Sequence, residues 1–163
     1  EGNTAAAQNW LQKAKSVNAK APEINANMAL LALKSGDVAK AEVLMGQASG
    51  SDTYNEILGN LNIAKGNYTQ AQKNLSNTTT NSAALAQILN KDYNAAKKTL
   101  AAIKTPDATT SYLKAVVAAR TNDTAAVKAN LKAAITSDSS LKARAANDIE
   151  FANYKNDIAD LVK

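Results

Sequence analysis

The chain has neither cysteine nor histidine. That excludes disulfides, thiolate nucleophiles and imidazole bases, and it removes the ligands of structural zinc sites. Glycine (6) and proline (2) are sparse among 163 residues, which argues against an all-β or collagen-like chain. Aromatic side chains are few as well: one Trp, five Tyr and one Phe. The longest unbroken apolar run, Met28 to Leu33, is six residues, far short of the roughly 18–20 that a membrane span requires. What the chain does have is alanine, 35 of its 74 apolar residues. Alanine, lysine, leucine and glutamine favour helix, while 19 asparagines oppose it.

One pattern recurs along the chain. A turn is followed by an aromatic, Thr or Val, then by a small residue, with an apolar residue four positions further on. Gly36-Asp37-Val38-Ala39-Lys40-Ala41 leads to Met45 and Ala48, and Gly66-Asn67-Tyr68-Thr69-Gln70-Ala71 leads to Leu75. Lys91-Asp92-Tyr93-Asn94-Ala95-Ala96 leads to Leu100 and Ile103, and Asn122-Asp123-Thr124-Ala125-Ala126-Val127 leads to Leu131 and Ala134. Gly2-Asn3-Thr4-Ala5-Ala6-Ala7, leading to Leu11 and Ala14, opens the chain in the same way. The turn positions 2, 36, 66, 91 and 122 are 34, 30, 25 and 31 residues apart. Seven residues before each of the last four turns stands a small residue: Ala29, Gly59, Ala84 or Ala115. Small residues at matched places let consecutive helices cross closely. A residue tolerant of positive φ ends one helix, and an Asp, Asn or Thr starts the next.

These residues resemble the tetratricopeptide repeat family in degenerate form. The spaced Gly-Asp/Asn-Tyr turn, the alanine three residues after the aromatic and the small residue of the first helix carry the resemblance. They span about residues 2–135. The resemblance implies an all-α fold, a right-handed α-solenoid of helix–turn–helix repeats with a C-terminal capping helix, forming a single superhelical domain over 1–163. Within it, 2–16 is an unpaired second helix, 22–136 holds about four repeats, and 138–163 is a last degenerate repeat with its cap. Helices are expected near 4–16, 23–35, 38–48, 53–65, 68–76, 82–90, 93–103, 107–120, 124–136, 139–147 and 150–163. Asn77-Thr78-Thr79-Thr80-Asn81 reads as a loop. Trp10 and Leu11 either pack on the next hairpin or belong to a piece of a longer array with more repeats; both can hold.

The composition leaves carboxylates, lysines, serines and tyrosines as candidate chemistry, and no catalytic set emerges. The chain is expected not to be an enzyme and to use no cofactor or metal. The pairs Asp148/Glu150 and Asp157/Asp160 read as solvated helix ends. Ser137-Asp138-Ser139-Ser140 reads as an N-cap, since a Ca²⁺ loop needs more carboxylates at alternating positions. Gly46 and Gly50 lack the spacing and the following Lys-Ser/Thr of a phosphate cradle. Charge is uneven: residues 1–60 carry 5 basic and 6 acidic groups, residues 61–147 carry 12 and 4, and residues 148–163 carry 2 and 4. Lys73, Lys97, Lys98, Lys128 and Lys132 fall on second helices, which form the convex side in this family. They are either a solvated exterior or a patch for an anionic surface. Nucleic acid is not expected, because there are two arginines and no aromatic interleaving.

In this family the first helices line a groove for a peptide or a partner helix. Counting from the turns puts Asn27, Leu30 and Lys34, then Glu56, Asn60 and Ile63, then Tyr112, Val116 and Arg120 on that surface. The carboxylate clamp of the chaperone-binding subfamily needs Lys, Asn and Arg clustered in adjacent repeats, whereas Lys34 and Arg120 lie three repeats apart. The expected function is a non-catalytic scaffold that binds a peptide or partner protein in the groove. The alternative is a peripheral module that meets an anionic membrane surface or polyanion through its lysines. The Asn/Thr/Ser/Ala/Lys usage resembles exported bacterial tetratricopeptide proteins of the cell envelope, on the periplasmic side; absence of cysteine also suits the cytosol.

Overall fold

A computed structural model describes residues 4–163. Eleven α-helices and one 3₁₀ segment, with no strand, make up the described residues. The expected corner at Gly2 lies outside them. The helices gather into two compact units, the first ending at Thr78 and the second running from Thr79 to Lys163. The boundary falls in the Asn/Thr loop expected between repeats.

The first unit holds α1 (Thr4–Val17), α2 (Pro22–Lys34), α3 (Val38–Met45), α4 (Tyr54–Ala64) and α5 (Tyr68–Asn74). The second holds α6 (Asn81–Leu89), α7 (Tyr93–Ala102), α8 (Ala108–Arg120), α9 (Thr124–Ser137) and α10 (Leu141–Asn147), then a 3₁₀ segment Ile149–Tyr154 and the short α11 (Ala159–Val162). Consecutive helices pair as hairpins: α2 with α3, α4 with α5, α6 with α7, α8 with α9. Within the units, first helices also meet, α2 with α4 and α6 with α8.

Each hairpin turns on the same corner. Gly36, Gly66, Lys91 and Asn122 adopt φ of 80°, 78°, 64° and 57°, the left-handed conformation that ends a helix. The residue after each donates its backbone N–H five residues back, Asp37 to Ala32, Asn67 to Asn62, Asp92 to Gln87 and Asp123 to Ala118, at 2.8–2.9 Å. That closes a Schellman motif and satisfies carbonyls the helix end would leave free. The same residue then opens the next helix. Asp37, Asp92 and Asp123 accept the N–H of Lys40, Ala95 and Ala126 at 3.0–3.1 Å. Asn67 caps nothing with its side chain; its Nδ2 reaches Asn62 Oδ1 at 3.4 Å, and Asn62 in turn donates to Asn74 Oδ1 at 3.1 Å across the hairpin.

The four small residues seven before the corners are buried, with Ala29, Ala84 and Ala115 wholly inaccessible. Gly59 is under the tightest constraint. A Cβ built on it would lie 2.4 Å from Leu75 Cγ, so the Leu75 side chain at the end of α5 packs directly on the α4 backbone there. Ala41, Ala71, Ala96 and Val127, five residues after each corner, are 0% exposed. Met45, Leu75, Leu100 and Leu131, four further on, are at most 3% exposed.

Among the larger anchors expected from the pattern, Leu44, Leu75, Ile88, Leu100, Tyr112, Leu113 and Leu131 are buried. Leu58, Tyr68, Leu85, Tyr93, Ile103 and Ile135 are half-buried. The end of the chain differs from its expected form. In place of one helix over 150–163 there is a 3₁₀ segment, a run of turns and a four-residue helix. Asn153, Asn156 and Asp157 are residue types that favour turns over helix interiors. Phe151, Tyr154 and Ile158 nevertheless enter the core. The Tyr154 hydroxyl donates to Ala119 O at 3.0 Å and pins the segment to the end of α8.

Candidate binding surface

The corners fix the end of the first helix in each hairpin, and in the first unit they leave part of α2 and of α4 exposed. In the first unit, Asn27 and Lys34 on α2 and Glu56 on α4 are exposed; Leu30, Asn60 and Ile63 are half-buried. The side chains at 27, 30 and 34 share a helix face by their spacing of three and four.

In the second unit, residues of α6, α8 and α10 line an open cleft of about 250 Å³, among them Asn81, Ser82, Leu85, Tyr112, Leu113 and Arg144. Tyr112 forms its floor and is 3% exposed. Its hydroxyl donates to Asp148 Oδ2 at 2.6 Å. Its ring meets Phe151 edge-on at 5.6 Å and 78°. The Arg144 guanidinium covers the ring at 4.9 Å, a cation–π contact. Burial, then the hydrogen bond to Asp148, pushes the phenol pKa far up, so Tyr112 stays neutral. At the start of α8 Asp107 accepts Thr110 N–H at 2.7 Å and donates its own N–H to Thr110 Oγ1 at 3.1 Å, a capping box, and it also accepts Asn81 Nδ2 at 3.0 Å. These bonds, the Thr110 N–H first, hold the Asp107 carboxyl below its usual range. Asn81 Oδ1 is shielded from solvent and accepts no hydrogen bond.

The residues chosen from sequence divide accordingly. Asn27, Lys34 and Glu56 are exposed on α2 and α4 of the first unit, where Leu30 and Asn60 are half-buried. Tyr112 and Val116, at 3% and 7% exposure, belong to the core of the second unit. Tyr112 floors the cleft with its hydroxyl engaged; Val116 packs inside. Arg120 forms two bonds of 2.6 Å to Glu150, and that pairing raises its pKa. Counting back from Asn122 cannot tell an outward side of α8 from one that α10 and the 3₁₀ segment cover.

Two further expectations change. Asp148 and Glu150 are tertiary partners of Tyr112 and Arg120, not solvated helix ends. Asp138 does not cap α10: its Oδ1 accepts the N–H and hydroxyl of Ser140, at 2.9 and 2.7 Å, in a local turn before the helix starts at Leu141. Sequence reasoning missed Ser82, Leu85 and Arg144 as lining. The first two had a readable signal, because the count from Gly36 that gives Asn27 and Leu30 gives Ser82 and Leu85 when taken from Lys91. Arg144 had none, since no corner follows α10.

The five lysines of second helices, Lys73, Lys97, Lys98, Lys128 and Lys132, are exposed. Lys128 Nζ lies 3.2 Å from Asp160 Oδ2. A second cleft, of about 210 Å³, lies where Lys97, Lys114, Asp123 and Asn130 surround Leu100 and Val117. Among the described residues, no three carboxylates cluster as metal ligands, and no helix is long and apolar enough to cross a membrane. No protein-family model, curated protein or solved structure matches the chain.

Proposed function

We propose that the chain is a non-catalytic scaffold of tetratricopeptide-like repeats arranged as an α-solenoid, and that it holds a peptide or partner protein on its first helices. The observation that carries this reading is the fourfold recurrence of one corner, with the same buried small residue before it and the same buried pair after it. Such corners fix the spacing of first helices and leave their outer faces for a ligand. In the second unit that face offers Leu85 and Leu113 for an apolar side chain, Ser82 for backbone groups, and Arg144 for a carboxylate. Peptides selected from a random library on the intact chain test the reading. Their binding should fall at least tenfold in Leu85→Asp and in Arg144→Glu, and stay unchanged in Lys97→Glu/Lys98→Glu. Binding that ignores the first two substitutions overturns it.

A second reading rests on the exposure of Lys97, Lys98, Lys128 and Lys132 along α7 and α9. Attachment to an anionic surface would be read as co-sedimentation with phosphatidylserine vesicles, lost between low and high salt. A groove complex with apolar anchors would persist.

A further inference from the structure

The helices α7 and α9 both pack against α8, and the cleft of about 210 Å³ is lined by residues of all three. On α8 the lining runs through Lys114, Val117, Ala118 and Thr121, a spacing of three and four that keeps one helix face toward the cleft. Leu100, Val117 and Ala118 make an apolar floor, at most 4% exposed. Lys97 is exposed and Lys114 half-buried at its sides. Among the described residues neither lysine forms an ion pair. The place that corresponds in the first unit is satisfied from within. Counted from the corners, Lys97 corresponds to Glu42 of α3, and Ala118, Thr121 and Asn130 correspond to Asn62, Lys65 and Asn74. There Glu42 pairs with Lys65, and Asn62 donates to Asn74 Oδ1 at 3.1 Å. The first unit thus supplies its own carboxylate to a lysine at this place. In the second unit a lysine stands where that acid would be, and an alanine stands where Asn62 would be.

We infer that this cleft binds a small monocarboxylate with an apolar body, an aliphatic or aryl acid whose carboxylate meets Lys97 and Lys114 while its body covers Leu100, Val117 and Ala118. Charge selects the monoanion. Asp123 also lines the cleft, its Oδ1 accepting Ala126 N–H at the start of α9, so two ammoniums and one carboxylate leave a single net positive charge. That balance suits a carboxylate better than a phosphate. The remaining polar groups select the apolar body. The Thr121 hydroxyl and the Asn130 amide donate to the carbonyls of Val117 and Ala126, at 2.9 and 2.8 Å. The two ammoniums are therefore the side-chain donors without an internal partner. A peptide end would bring amide groups that lose water there without replacement. Size limits the body to a short chain or one ring, because drug-sized ligands occupy roughly 300–1,000 Å³. The cleft shares no residue with the one floored by Tyr112, so the inference does not depend on peptide binding.

The probe is octanoate, titrated below its micelle-forming concentration into the intact isotope-labelled protein and followed by amide NMR shifts. Saturable shifts are expected at Thr121, Ala126 and Asn130. Affinity should fall at least tenfold in Lys97→Met and in Lys114→Met, which remove the charge and keep an apolar stem. It should fall as far for octanamide, the neutral analogue, and acetate should give no saturable shift. Lys97→Glu, which restores the acid found at this place in the first unit, should abolish binding. Both changes at the exposed Lys97 should leave the helical circular dichroism intact. Absence of a saturable shift with octanoate overturns the inference, and so does binding indifferent to both lysine substitutions. Octanamide binding as well as octanoate marks apolar contact alone, and acetate or phosphate binding as well marks charge alone; either overturns it. Tighter binding of a short peptide ending in a leucine carboxylate overturns it in favour of a chain end.

Discussion

At one end of the chain, residues after the last repeat cover the hairpin α8–α9. Phe151, Tyr154 and Ile158 insert beside Tyr112, and Asp148 and Glu150 bind Tyr112 and Arg120. At the other end, α1 carries the largest aromatic of the chain and leaves it in solvent. Both segments depart from the repeat, but in opposite ways. The closing segment keeps no corner and supplies aromatic bulk and hydrogen bonds of its own. Helix α1 keeps the repeat residues and packs against α2, with none of its residues buried. A repeat cannot bury its face alone, so the same residues act as core or as surface according to what lies against them.

The sharpest way to break this comparison is to truncate an aromatic at each end. Phe151→Ala should destabilise the second unit by about 3–5 kcal/mol, as large buried aromatics do, whereas Trp10→Ala should stay within about 0.5 kcal/mol. Urea unfolding followed by circular dichroism reads both; equal losses would erase the distinction. Next in size is the crossing of α4 and α5. Gly59→Ala forces its methyl into Leu75 and should cost about 1–3 kcal/mol. The added Leu75→Ala should make that penalty vanish in a double-mutant cycle, and simple additivity would place the two helices further apart than described.

The corners give a smaller effect of opposite sign. Lys91 holds a left-handed φ of 64° where two other corners use glycine. Lys91→Gly should raise stability by up to about 1 kcal/mol, since an L side chain is disfavoured there; a lowered thermal midpoint would contradict the corner geometry. The smallest change concerns the cap of α8. Asp107→Ala should cost about 1 kcal/mol at neutral pH. Because the folded carboxyl titrates below its ordinary value of 3.8, its contribution is complete above that value and is lost as pH falls through the lower folded one. The difference between wild type and variant should therefore shrink in acid, and a constant difference down to pH 2 would remove the cap from that role.

Much of the helix order was legible in the sequence because it rests on local chemistry. Gly36, Gly66, Lys91 and Asn122 mark corners through backbone conformation alone, and Asp37, Asp92 and Asp123 open the next helix through their own side chains. The exposure of the residues chosen for a partner was half legible. Asn27, Lys34 and Glu56 project outward as their spacing implies. Tyr112 and Val116 share that spacing and are covered, because their exposure depends on Asp148, Phe151 and α10, which lie outside the repeat. The closing helix failed for a local reason, its Asn and Asp content, and its buried ring at Phe151 could not be anticipated from a pattern that occurs once.

The residues themselves determined where each helix stops and which small side chain stands at each crossing, since φ, capping and Cβ size act within a few positions of the chain. Tertiary structure alone decided that Leu44 is core while Trp10, its counterpart 34 residues earlier, faces water. Burial is a property of the neighbour as much as of the residue, and the neighbour is set by how hairpins meet.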